Sequence, residues 1–355
     1  ISLDILFAEP DRTSLKTIQE SFQREFGLDI GFSGLPPGLE DNDAYLGHVL
    51  SRTRAVSSMY MYFTLYNTED ECAPSPLKVE GELDAVDPPE ASGILCNTPS
   101  IQQKLASCGF INTLQDADGV LRKMQLLIAY KGRLYPNLSL ATLMRALEEP
   151  TARIETDTFG PVLVVGQARL PIDKSGQAVI GFTGQNHGPD FLSAVRVLSE
   201  EADPKGIRDK IVFIGSSAAG LNDLYHTPIS QAYPGVATHA VLVDNALSGS
   251  ALRIPVWSAL YAALTTLGTG VIVVLLFSFA GPGHAAFWSP VLGLLFPALA
   301  TVLYYTAGAL VPMAGPVITS IILFMGMSLL LYSRERRKAH NRLQMFARAR
   351  QTTLE

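Results

Sequence analysis

The chain has 355 residues and a formal net charge of −6, and none of the 80 residues at positions 254–333 is Asp, Glu, Lys or Arg. A charge-free block of this length excludes an ordinary soluble protein, because one membrane-spanning helix needs only about 20 apolar residues. Residues 1–253 hold 20 basic and 31 acidic residues, a net of −11, and this disfavours nucleic acid as a partner because phosphate binding needs a basic surface.

The chain opens on an apolar run at positions 1–7, which predicts a buried strand. Apolar residues then recur at helical spacing over positions 15–26 and end at Gly27, a helix stop signal. A second helix is expected from Asp43, followed by a strand over positions 56–65. This β-α-α-β order predicts a mixed or parallel sheet. Because the chain begins without Met or a signal-like segment, we expect a targeting segment upstream of it.

An acidic, proline-containing segment at positions 66–93 is expected to be an exposed loop. Beyond it, the pattern predicts a helix at 100–106, a strand at 120–129, a helix at 138–147, and strands at 162–165 and 178–182. A further buried strand is expected at 210–215, and a helix at 237–247 leads to Arg253. The element order indicates an α/β fold for residues 1–253.

The strand at 210–215 breaks at glycine into a turn of small residues. Strand-to-loop junctions of this kind are where α/β sheets tend to bind ligands. We therefore expect a small ligand, if there is one, at this turn and at the helix that follows. The candidate ligand-binding residues are Gly215, Ser216, Ser217, Asn222, Asp223 and His239.

Two kinds of catalytic or metal site are weaker alternatives. Ser217 follows a strand in a sequence that approximates a nucleophile elbow, although Ala219 replaces its second glycine. Asp223, His226 and His239 supply three ligands of the type that a metal takes. A tight structural turn explains the segment more simply than either site, so no cofactor and no metal is expected.

Cys72, Cys96 and Cys108 are the only cysteines. An oxidising compartment would permit one disulfide and leave one thiol. Pairing of Cys72 with Cys96 would pin the acidic loop, and pairing of Cys96 with Cys108 would close a short loop. Three free buried thiols are the third alternative, and the sequence does not choose among them.

Three membrane spans are predicted in the charge-free block, at about 257–280, 287–307 and 313–332, with a turn at Gly281-Pro282-Gly283 between the first two. The block is followed by the basic run 334–338. Because Lys and Arg near the end of a span are retained in the cytoplasm, the carboxyl terminus is expected inside the cell. An odd number of spans then places residues 1–253 outside the cytoplasm.

The segment 334–355 carries seven basic and two acidic residues, with Leu343 and Phe346 on one helical face. One interpretation is a signalling helix that pairs with its twin in a homodimer and transmits movement to an effector. The other is a basic juxtamembrane helix that lies against anionic membrane lipid.

The chain resembles the type 2 CHASE domain, the cyclase/histidine-kinase-associated sensory extracellular module of bacterial transmembrane receptors. The resemblance is carried by short motifs in a fixed order, at positions 4–11, 109–112, 116–122, 135–141, 210–223, 227–228, 233–236, 239–240 and 244–245, followed by three spans. In that family one helix usually precedes the sensor, and a cytoplasmic cyclase, histidine kinase, diguanylate cyclase or phosphodiesterase follows the spans.

The resemblance implies a receptor of the inner membrane, with a periplasmic mixed α/β sensor at 1–253, three membrane helices within 254–333 and a cytoplasmic segment at 334–355. The sensor would respond to a small molecule or a physical stimulus without catalysis of its own. A membrane-anchored extracytoplasmic hydrolase built on Ser217 or on the His/Asp metal site is the alternative from another class.

Overall fold

The structure is a computed structural model that describes residues 1–36, 38–64, 72, 74–182, 188–217 and 223–352. The chain divides into two compact units, Ile1–Arg253 and Ile254–Glu355. The first is a mixed α/β unit, and the second consists of long apolar helices. The predicted fold class is therefore confirmed.

In the first unit, the described strands are β1 (Ser2–Asp4), β2 (Ser57–Tyr62), β3 (Val79–Gly81), β4 (Gly93–Leu95), β5 (Cys108–Phe110), β6 (Lys123–Gln125), β7 (Leu127–Tyr130), β8 (Arg133–Pro136), β9 (Ala152–Asp157), β10 (Gly160–Val165), β11 (Ala168–Pro171), β12 (Gln177–Val179), β13 (Phe213–Gly215), β14 (Leu224–Thr227) and β15 (Ser230–Pro234). The described helices are α1 (Leu15–Phe26), α2 (Asn42–Ser51), α3 (Pro99–Gln102), α4 (Leu138–Leu147), α5 (Ala194–Leu198) and α6 (Gly235–Ser248).

The parallel strands of the first unit carry the candidate site. β13 pairs in parallel with β1, so that Gly215 at the end of β13 lies opposite Asp4 at the end of β1. On its other side, β1 lies beside the start of β2, where Ser2 and Val56 form a parallel bridge. β2 pairs with β5 in parallel and with β4 in antiparallel orientation. The strands expected at both ends of this unit's sequence are therefore neighbours in space.

A second sheet has the strand order β11-β10-β9-β3. Its inward residues form one hydrophobic core with α4 and α6, where Leu140, Leu163 and Leu242 are at most 1% exposed. The side chain of Asn137 caps α4 by accepting the N–H of Leu140 at 2.8 Å. This core fixes α6, whose first turn borders the candidate site.

The structure decides among the three alternatives for the cysteines. Cys72 and Cys96 form a disulfide, with their Cα atoms 6.1 Å apart. Cys108 is a free, buried thiol. The disulfide therefore ties Cys72 to the residue that follows β4.

The second unit contains α7 (Ser258–Leu275), a π-helical turn (Leu276–Ala280), α8 (Gly281–Ala307) and α9 (Ala314–Thr352). Three of its segments are long and apolar enough to cross a membrane, namely Ser258–Phe279, Gly283–Ala307 and Ala314–Met345. The turn expected at positions 281–283 is helical instead, since α8 begins at Gly281 and the first turn of a helix tolerates proline. α9 continues past position 333, and the sequence contains no proline after Pro316 that would end the helix.

Small residues allow the three long helices to pack closely. A Cβ added to Gly270 of α7 would lie 3.5 Å from Thr319 of α9. The hydroxyl of Ser320 in α9 donates to the carbonyl of Ser289 in α8 at 2.8 Å. Close approach through small residues and interhelical hydrogen bonds is how helices associate in lipid. α9 therefore packs against both other helices of this unit.

Candidate functional site

The candidate site lies where β1 and β13 end side by side, at Asp4 and Gly215. The carboxyl ends of parallel strands are the usual ligand-binding edge of α/β sheets. A Cβ added to Gly215 would lie 2.7 Å from the Cβ of Val236 and 3.1 Å from the Cβ of Asp4. Glycine is needed here because the first turn of α6 approaches the strand end so closely.

Asp223 directly precedes β14 and lies against the first turn of α6. Its carbonyl accepts the N–H of Gly235 at 2.9 Å. Its carboxylate accepts the N–H of Val236 and the hydroxyl of Tyr225. A Cβ at Gly235 would collide with Oδ1 of Asp223, so glycine at this position lets the carboxylate reach the helix amino terminus. A negative charge is favoured at that end of a helix.

Asp4 and Asp223 interact as a pair of carboxyl groups. Burial, followed by the negative charge of Asp223, raises the pKa of Asp4 to about 7. Burial also raises the pKa of Asp223, while the hydrogen bonds from Tyr225 and Val236 oppose that rise. The pKa of the Tyr225 phenol is raised by burial and by both carboxylates. With a pKa of about 7, Asp4 is therefore partly protonated near neutral pH, which an ordinary aspartate is not.

His239, another predicted ligand residue, lies inside the protein at 3% exposure. Its Nδ1 is 2.7 Å from the hydroxyl of Ser139 on α4, and its ring stacks on Phe213 with centroids 6.3 Å apart. Burial lowers its pKa to about 4, so the ring is neutral at physiological pH. The structure thus joins His239 to the core between α4 and β13.

Two of the remaining predicted residues directly follow β13. Ser216 follows β13 and is half-buried, and Ser217 is exposed. Asn222 lies outside the described residues. His239, one candidate base for a Ser217 nucleophile, is buried with its Nδ1 2.7 Å from the hydroxyl of Ser139. The geometry gives the hydrolase alternative no support.

The metal alternative also lacks support. Among the residues that the structure describes, no three His, Cys, Asp or Glu side chains gather where they could hold an ion. Asp223, His226 and His239 are all described, and they do not form such a group. His226 is exposed on β14, where its carbonyl accepts the N–H of Leu121 at 2.7 Å.

Sequence reasoning did not single out Asp4 or Tyr225 as site residues. Asp4 was the only charge in an apolar run, and that isolation is the one signal that points to it. A separate cleft of about 540 Å³ beside α4 was also missed. Arg54, Lys78 and Arg145 line it, and no sequence motif connects these three residues.

Comparison with known families agrees with this architecture. The CHASE2 domain family matches residues 1–279, which include the whole α/β unit and the first candidate span. No curated protein and no solved structure matches the chain. CHASE2 is a sensory rather than a catalytic domain, and together with three apolar helices it fits the sensor of a membrane receptor. The chain therefore belongs to the CHASE2 family, as an extracytoplasmic CHASE2 domain followed by three candidate membrane helices.

Proposed function

We propose that this chain is the sensory part of a bacterial inner-membrane receptor. Residues 1–253 would lie in the periplasm and the basic segment 334–355 in the cytoplasm. The helices between them would pass a conformational change to a cytoplasmic effector in the same polypeptide, of the cyclase, histidine kinase, diguanylate cyclase or phosphodiesterase type. The basic run after the third span supports this orientation, because such runs are retained in the cytoplasm.

The observation that carries the proposal is the continuity of α9. This helix runs unbroken for 39 residues, from the apolar span into the basic segment. At about 1.5 Å per residue it is roughly 58 Å long, about twice the thickness of the hydrocarbon core. A rotation or shift of its membrane part therefore moves its polar end as well, which is what a transmitter of conformational change requires.

The stimulus would act at the end of the β1–β13 sheet, around Asp4 and Asp223. A stimulus shifts a two-state equilibrium only by its different affinity for the two states. A pair of interacting, partly buried carboxyl groups provides such a difference, because a small change in their separation or solvation changes the free energy of their ionised forms.

The orientation is tested by labelling with a membrane-impermeant maleimide. Asp84→Cys places an exposed thiol in the sensor, and Met345→Cys places one in the basic segment that follows position 333. In spheroplasts, Asp84→Cys is expected to react at once and Met345→Cys only after the membrane is permeabilised. The reverse order would refute the orientation. The unsubstituted chain is the control, because its free Cys108 is buried.

The role of the carboxyl pair is tested in a chimera that carries an adenylate cyclase catalytic domain behind residue 355. Asp4→Asn should change the basal cyclic AMP output, because it removes the carboxyl group whose ionisation is coupled to that of Asp223. Asp84→Asn, which removes an exposed charge, should leave the output unchanged. Equal outputs from the two variants and the parent would contradict a role for this site. Matched protein levels in membranes are required for the comparison.

A further inference from the structure

The cleft beside α4 is a second candidate site in the α/β unit. Its volume of about 540 Å³ lies in the usual range of small-molecule sites, about 300–1,000 Å³. Three segments form its walls, namely α4 with the residues just after it, the segment 75–78 before β3, and the segment 102–108 from the end of α3 to the start of β5. Asp4, Asp223 and Tyr225 do not line it, so the cleft is distinct from the carboxyl pair.

One side of α4 faces the cleft. Four lining residues of this helix and its cap follow one another at spacings of three or four, at positions 141, 144, 145 and 148. Such spacings place side chains on one side of a helix. The segment before β3 is also fixed, because the carbonyl of Lys78 accepts the N–H of Ala152 at 2.9 Å. Regular structure therefore holds the backbone on both of these walls.

The cleft is rich in basic side chains, although the unit as a whole carries a net charge of −11. Three basic and two acidic residues line it. One of the acids, Glu148, forms an ion pair with Arg54. The carboxylate of the other, Glu149, lies against Gly166, where an added Cβ would be 3.1 Å from its Oε1. Neither acid therefore pairs with the two remaining cations.

Those two cations are Lys78 and Arg145. Among the residues that the structure describes, neither of them forms an ion pair. The dipole of α4 favours a cation in its last turn, and this explains Arg145. It does not explain Lys78, which lies on the segment before β3. Both side chains are exposed, so an anion from solvent can reach them.

We propose that this cleft binds a small organic dianion, either a phosphate monoester or a dicarboxylate. Arg145 binds two oxygens of the anionic group, because a guanidinium matches the geometry of both phosphate and carboxylate. Lys78 adds a second positive charge. The apolar part of the ligand packs against Leu105 and Met144, which are half-buried in the walls. The ligand thus neutralises both cations and covers apolar surface.

Titration calorimetry on the full chain in detergent tests the proposal, with phenyl phosphate and phthalate as probes. Lys78→Gln and Arg145→Gln should each raise the dissociation constant at least about tenfold, because each removes a charged hydrogen bond to the ligand. Lys174→Gln and Arg208→Gln remove exposed charges outside the cleft and should leave the dissociation constant unchanged. Binding of only one probe identifies the anionic group as phosphate or carboxylate. Absence of binding of both probes at millimolar concentration, or an equal loss in the control variants, overturns the proposal.

Two simpler probes separate the contributions of charge and of apolar contact. Inorganic phosphate lacks the ring, and benzyl alcohol lacks the charge. Each should bind at least about tenfold more weakly than phenyl phosphate, because each makes only one of the two kinds of contact. Benzyl alcohol that binds as well as phenyl phosphate would overturn the recognition of an anion. Inorganic phosphate that binds as well would overturn the recognition of an organic ligand.

The buried thiol of Cys108 provides a second measurement, because it reacts only when the unit opens. Phenyl phosphate at ten times its dissociation constant should slow this labelling about tenfold in the parent. Without ligand, Lys78→Gln and Arg145→Gln should label as slowly as the parent, which shows that they are folded. Bound ligand that leaves the labelling rate of the parent unchanged would place the ligand outside this unit and overturn the proposal. These results concern binding alone, so they are independent of the receptor function proposed above.

Discussion

Replacing Asp4 with Asn is expected to stabilise the α/β unit, most strongly above pH 7. In the folded chain, burial and the charge of Asp223 raise the pKa of Asp4 to about 7, from 3.8 for the free side chain. The ionised form is therefore destabilised by folding. Asn keeps the size of the side chain and removes the charge.

The size of the effect follows from the pKa difference. Three pKa units correspond to at most about 4 kcal/mol of unfolding free energy, at 1.36 kcal/mol per unit. A carboxyl group with a raised folded pKa contributes stability below its unfolded pKa, and this stability is lost as the pH rises towards the folded pKa. The advantage of Asp4→Asn should thus reach at most about 4 kcal/mol at pH 8 and be about 2.5 kcal/mol smaller at pH 5. In melting temperature, 4 kcal/mol is about 10 °C for a unit of this size.

The free thiol of Cys108 reports unfolding of the α/β unit in the full chain, because the thiol is buried and becomes reactive when the unit opens. Thiol labelling during a thermal ramp, between pH 5 and pH 8, gives the melting temperature of the parent and of Asp4→Asn. Asp84→Asn, at an exposed position, is the matched control and should follow the parent. A difference between Asp4→Asn and the parent that does not grow with pH would refute the raised pKa of Asp4.

Four other predictions concern packing and cross-linking in the α/β unit, each with the same labelling assay. Ser139→Ala leaves the buried Nδ1 of His239 without its partner and should cost about 1–3 kcal/mol; no loss would mean that the ring finds another partner. Because the pKa of His239 is lowered to about 4, the stability that its neutral ring contributes is present above about pH 6.5 and is lost as the pH falls towards 4. A His239→Gln variant should lack this loss of stability in acid. If the variant retains the loss, another group must cause it. Gly215→Ala should cost about 1–3 kcal/mol by overpacking, whereas Gly206→Ala, with open space around it, should be tolerated; equal effects would contradict the close approach of α6. Replacing both Cys72 and Cys96 with Ser removes the disulfide, whose sequence separation is 24, and leaves Cys108 as the thiol to be labelled; it should cost about 3 kcal/mol. An unchanged melting temperature would show that the loop is held by other contacts.

Local patterns predicted the local structure well. The apolar spacing before Gly27 predicted a helix that the structure has at Leu15–Phe26, and the helix expected at 138–147 is α4. The pattern missed β9 and β11, because each has only two buried aliphatic side chains to mark it, Ala152 and Ile154 in β9 and Ala168 and Leu170 in β11. It also placed a turn at positions 281–283, where glycine and proline are strong turn signals but are accommodated in the first turn of α8.

The candidate site was harder to predict. The end of β13 at Gly215 was predicted from its glycine and the small residues after it, and Asp223 was among the residues named there. Its partner Asp4 is 219 positions away in the sequence. The parallel pairing of β1 with β13 and the contact of Asp223 with the first turn of α6 bring the two carboxyl groups together. His239 was placed with the site, but it contributes to the core, since a side chain's exposure depends on what packs against its helix.

The sequence by itself determined that this is a membrane protein with an acidic α/β domain and three apolar spans, because charge content and apolar periodicity depend on neighbours along the chain. The tertiary structure decided the pairing of Cys72 with Cys96, the meeting of Asp4 with Asp223, and the cleft that Lys78 and Arg145 share. These features depend on contacts between segments far apart in the sequence. Solvation, pKa and exposure are set by those contacts, and no local pattern contains them.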